Sequence, residues 1–148
     1  NVVNRQSIGY LTVDVAVIHK ISQHVILVGK SNETGWRFPG SFFDSTVDNS
    51  YEDAGIRVVN KEVPTITIDR PRLIASTKIK DWRYRGTRDG IVTILLSAQY
   101  SGDYSLISDL SPGKGVDWVR WFGFKQVPDV LVPEHKVLGE IMRNHWHD

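Results

Sequence analysis

Apolar positions recur along the chain at two periods, one of strands and one of helices. Leu11 to His19 (LTVDVAVIH) and Val25 to Gly29 are rich in β-branched residues, and the polar stretch Lys20 to His24 between them predicts a hairpin-like pair of core strands. Ile91 to Tyr100 (IVTILLSAQY) is almost unbroken in its apolarity, the pattern of a strand buried on both faces, and Trp118 to Phe122 is a shorter version. Two stretches carry the helical period instead. In the first, Ser50 caps, Asp53 follows three residues on, and Tyr51, Ala54, Gly55, Val58 and Val59 share one face before Pro64 ends the helix. The second begins near Pro133-Glu134, places Val137, Leu138, Ile141 and Met142 at helical spacing, and runs to His145-Trp146-His147 as a covering helix. With no internal repeat, this pattern predicts one α/β (α+β) domain over residues 1–148 with a mixed central sheet.

Composition narrows the chemistry. The chain has 148 residues, 41% hydrophobic, enough for one core closed without disulfides or metals. Eighteen Lys and Arg against 17 Asp and Glu give a net charge of +1, which argues against bulk attraction to nucleic acid or an anionic membrane. The absence of cysteine excludes a thiolate metal site and a cysteine nucleophile, and makes the cytoplasm the default expectation. No apolar run reaches the roughly 18 residues of a membrane span. The sequence starts at Asn1 and not at Met, which leaves room for a preceding domain.

The most informative stretch is Trp36-Arg37-Phe38-Pro39-Gly40, an aromatic-rich strand entering a Pro-Gly turn, followed by Asp44 and Asp48 and then the first helix. Together with Asp81-Trp82-Arg83-Tyr84-Arg85, Thr12-Val13-Asp14, Trp121-Phe122 and Glu134-His135, it resembles the Nudix superfamily, in particular the Nudix (ADP-ribose pyrophosphatase) domain of bifunctional nicotinamide-mononucleotide adenylyltransferase/Nudix proteins. The resemblance covers most of the chain. It implies a mixed sheet between helices, a nucleotide ligand and a homodimer.

Active relatives carry an Arg-Glu-apolar-x-Glu-Glu helix whose carboxylates, at i, i+3 and i+4, share one face and hold divalent cations that bind a diphosphate and activate water. Aligned on Arg57, that pattern meets Val58, Lys61 and Glu62; Asn49 replaces an upstream Glu and Pro64 the final Gly. Glu62 is the one surviving helix carboxylate, the catalytic and metal-binding candidate by resemblance, and Lys61 brings an ammonium to that face. No Arg is followed directly by Glu, so no other register restores the motif. Gly113-Lys114-Gly115-Val116 stands where such relatives carry a Gly-Asp-Asp stretch.

On a strand, Trp82 and Tyr84 would face one way and Arg83 and Arg85 the other; periodicity alone admits both a ligand surface and core aromatics with surface ion pairs. The resemblance favours the ligand role for Asp81 through Arg85, with Arg37, Arg57, Arg88, Lys61 and Lys114 as further anion-binding candidates. It gives Arg57 a bracing role against an acidic residue. His135 is expected to make a local hydrogen bond, and His145-x-His147 lies at the chain end.

These readings predict a domain that recognises ADP-ribose or a related nucleoside diphosphate with hydrolysis lost or reduced, needing no cofactor. The alternative is a divergent pyrophosphohydrolase using Mg or Mn, with Glu62 joined by Asp44 and Asp48. A nucleic-acid role would need a basic face, and the residues after Val132 are too few for a winged helix.

Overall fold

A computed structural model describes residues 8–80, 89–100, 102 and 110–146. The predicted strands appear as β1 (Gly9–His19), β2 (His24–Gly29), β6 (Gly90–Gln99) and β7 (Trp118–Gly123). The aromatic strand expected before the Pro-Gly turn is β3 (Trp36–Arg37), and β4 (Gly40–Phe42) and β5 (Arg72–Ile79) complete the sheet. β5 escaped the sequence reading because its positions (RLIASTKI) are mostly half-exposed or exposed, as on a sheet edge, and show no apolar run.

β1 is the hub. It runs parallel to β6 along its whole length, Gly9 opposite Gly90 to Ile18 opposite Gln99, and β6 pairs antiparallel with β5. Along its other edge, β1 pairs with β4 over Thr12–Asp14 and with β2 only at Ile18–His19, so the sheet forks there and β2 goes on to carry β7 and β3. The hairpin turn closes with Gln23 N–H donating to the Lys20 carbonyl at 3.2 Å, Gln23 taking a φ of 57°.

The two helices cover opposite faces. α1 (Tyr51–Glu62) starts where Ser50 Oγ accepts from Asp53 N–H at 3.0 Å and buries Ala54, Gly55, Val58, Val59 and Glu62. Tyr51, expected on the apolar stripe, is exposed and meets Phe43 edge-on. Beneath α1, Val13, Val15, Val17, Ile26, Val28, Leu96 and Trp121 form one core layer. A four-residue helix, α2 (Val127–Val130), a single turn over Pro133–His135 and α3 (Lys136–Trp146) form the second cover. Leu138 and Met142 there pack with Ala16, Ile18, Val25, Leu27, Phe38 and Leu95. Odd residues of β1 feed one layer and even residues the other. The sole even residue of that run to carry a charge is Asp14.

Candidate functional site

Asp14 interrupts an otherwise apolar strand and is buried. Thr93, on β6, donates its hydroxyl to Asp14 Oδ2 at 2.5 Å, and His135 Nε2 lies 3.7 Å from Asp14 Oδ1. The His135 Nδ1 accepts from Phe38 N–H at 3.1 Å, which leaves Nε2 as the protonated nitrogen of the neutral ring, turned toward Asp14. That bond joins residues 97 apart, so the local role expected for His135 is corrected: stacked on Phe38, it ties the last turn before α3 to the Pro-Gly loop.

Glu62 ends α1 and approaches the same loop, where Gly40 N–H donates to its Oε1 at 3.3 Å. A Cβ at position 40 would run into Asp14 Oδ1 and stand 2.9 Å from the Val13 carbonyl, so glycine is what lets loop, strand and carboxylate meet. The resulting pocket, about 220 Å³, is lined by Thr12, Asp14, Arg37, Lys61, Glu62 and His135, with Lys30 and Gly115 also on its wall.

Burial sets the electrostatics. It pushes the Asp14 carboxyl up to about 6 against the pull of the Thr93 hydrogen bond and of Arg37. It pushes Glu62 up to about 7, opposed by the Gly40 N–H and by Lys30 and Lys61, with Asp14 adding to the rise. His135 is driven down to about 3, first by burial and then by Arg37 and Lys30, and is neutral at pH 7.

The sequence candidates divide. Arg37, Lys61 and Glu62 share the pocket wall. Arg37 also grips Glu33, Nη2 to Oε2 at 2.5 Å and Nε to Oε1 at 3.1 Å. Arg57 lies away from the pocket and holds the buried Asp48 with two bonds, Nε to Oδ1 at 2.8 Å and Nη2 to Oδ2 at 2.9 Å, while Nη2 also reaches the Phe42 carbonyl at 3.0 Å. This pairing depresses the Asp48 carboxyl below its ordinary value. Asp44 accepts from the Thr46 hydroxyl at 2.6 Å and from Thr46 N–H at 3.0 Å. Neither loop carboxylate lines the pocket with Glu62. Lys114 is exposed and acts through its backbone: with Gly113 it caps α1, Gly113 N–H donating to the Glu62 carbonyl at 2.8 Å and Lys114 N–H to that of Lys61 at 3.0 Å. Asp81, Trp82, Arg83, Tyr84, Arg85, Arg88 and His147 lie outside the described residues.

Asp14, Lys30, Thr93 and His135 join the pocket or its hydrogen bonds without being among the site residues that the sequence suggests. The signal for Asp14 was a lone carboxylate inside an apolar strand. Among the described residues no three His, Asp or Glu side chains form a group that could hold a metal ion. With two lysines and an arginine on the same wall, the donor set around Glu62 does not fit a hard divalent cation.

No protein-family model and no curated protein matches this chain. Solved structures do. The Nudix domain of Shewanella oneidensis NrtR complexed with ADP-ribose superimposes with a TM-score of 0.72 at 22% identity, covering 97% of this chain and 95% of that one. The structure of Shewanella oneidensis NrtR gives 0.64 at 24% identity, covering 92% of this chain and 62% of the other. A MutT Nudix hydrolase from Burkholderia pseudomallei gives 0.68 at 17% identity, with 89% and 96% covered. Element order, forked mixed sheet and flanking helices place this chain in the Nudix fold.

Proposed function

We propose that the pocket beside Glu62 binds ADP-ribose or a related nucleoside-diphosphate derivative and leaves its diphosphate intact. The observation that carries this reading is the charge of the wall: Lys30, Arg37 and Lys61 bring three cations to Asp14 and Glu62, whose carboxyls burial raises to about 6 and about 7, where a hydrolase of this fold would gather carboxylates and metal. Side-chain cations offset diphosphate charge directly, Lys30 and Lys61 as ammonium groups and Arg37 through the part of its guanidinium that Glu33 does not hold. The ADP-ribose complex of the NrtR Nudix domain supports the choice of ligand class.

A hydrolase reading needs Glu62 joined by loop carboxylates, yet Asp48 is committed to Arg57 and Asp44 to Thr46. Calorimetry with ADP-ribose, in EDTA and then in magnesium, tests the proposal. Affinity is expected to be the same in both, with no release of AMP, and Lys61→Ala is expected to weaken binding by about 1 kcal/mol. Binding that requires magnesium, or turnover at an ordinary enzymatic rate that Glu62→Gln abolishes, overturns it.

A further inference from the structure

A larger cavity opens at the other end of the sheet. It measures about 580 Å³, more than twice the volume of the pocket beside Glu62 and within the range of small-molecule sites. On β1 it reaches Ile18, four residues and about 13 Å along the strand from Asp14. Its floor is the α3 face of the sheet, where Ile18, Ser97, Gln99, Arg72 and Ile74 come together through the β1–β6 and β6–β5 registers.

We propose that this cavity is a second binding site, for a small organic anion that carries an aromatic ring. One wall is aromatic: Phe124 and Trp146 stack with centroids 3.9 Å apart and planes inclined by 11°, offering a flat apolar surface beside Ile18 and Ile74. The opposing chemistry is cationic. Lys20, Arg70 and Arg72 line the cavity against a single carboxylate, Asp69. Arg70 has a distant acidic neighbour, Asp53 at 3.8 Å, whereas neither Lys20 nor Arg72 has a carboxylate partner among the described residues.

A ring slotted against the stacked pair therefore places its anionic group near Lys20 and Arg72, which have no carboxylate partner among the described residues. One further observation points the same way. The buried indole Nε1 of Trp146, a residue of the cavity wall, has no hydrogen-bond partner among the described residues, so a donor there is left unanswered. Neither feature alone selects the ligand: the cations would take any anion, and the stack any ring. Together they ask for both on one molecule.

Phenyl phosphate is the probe, with inorganic phosphate and benzyl alcohol as its two halves, followed by amide and indole NMR shifts on the whole chain. Phenyl phosphate is expected to saturate at concentrations about tenfold below either half, moving the backbone signals of residues 70–74 and the Trp146 indole N–H, which Trp146→Phe assigns. Replacing Lys20 and Arg72 together by Gln, both exposed and outside the core, is expected to cost about tenfold in affinity while leaving the spectrum folded. Three results overturn the proposal. They are shifts confined to Gly40 and Glu62, equal binding of inorganic phosphate or benzyl alcohol, and undiminished binding by the double variant.

Discussion

Single side chains in this molecule carry much of its chemical tension, Glu62 and His135 above all. Its carboxyl is raised to about 7 by burial, so the folded chain holds that proton more tightly than the unfolded chain does. Stability from this group is therefore complete below the ordinary carboxylate value and is lost as pH rises through about 7. His135 works in the opposite sense: held neutral and depressed to about 3, it withdraws stability as pH falls below the ordinary imidazole range. Glu62→Gln isolates the first contribution. The amide still accepts from Gly40 N–H, carries no charge, and is expected to stabilise the protein by up to about 3 kcal/mol at pH 8, with the gain fading toward pH 5. Urea denaturation of both proteins at the two pH values checks this; a gain that is equal at both would mean the buried charge is not its source.

At the scale of elements, one arginine braces the loop between β4 and α1, which folds on hydrogen bonds among Asp44, Thr46, Val47 and Asp48. Arg57 spends its guanidinium on Asp48 and the Phe42 carbonyl, and Asp48 is almost wholly buried beneath it. Arg57→Ala leaves that carboxylate buried without its counter-ion, holding only the Asp44 N–H, and is expected to destabilise by about 3 kcal/mol; Arg57→Lys, which cannot bond both oxygens in plane, recovers only part of it. Thermal melts measure both, and a loss below about 0.5 kcal/mol would show the brace to be idle. This element was legible in the sequence: the cap at Ser50, the apolar stripe of α1 and the stop at Pro64 all follow from local periodicity. The edge strand β5 was not, because an edge exposes most of its residues and writes no alternation into them.

The whole molecule is nearly neutral, at +1, yet its cations are not spread evenly: Lys30, Arg37 and Lys61 converge on one pocket. Affinity for ADP-ribose is expected to fall about tenfold between low salt and about 0.5 M NaCl, because the attraction comes from a local cluster that salt screens. Salt-independent affinity in calorimetry would assign recognition to uncharged contacts. Net charge could not reveal this cluster, since the residues that build it come from the β2 end, β3 and the end of α1, and only the fold joins them. The same holds for Asp14 and His135, which lie about 120 residues apart in sequence and adjacent in space. The parallel pairing of β1 with β6 brings Thr93 to a partner about 80 residues earlier in the chain. Closing so long a loop is entropically costly and cannot be assembled from neighbours in sequence, which marks the protein as a slow folder. A nascent chain released from the ribosome before β6 has emerged would carry the Pro-Gly turn and Glu62 and still have no pocket.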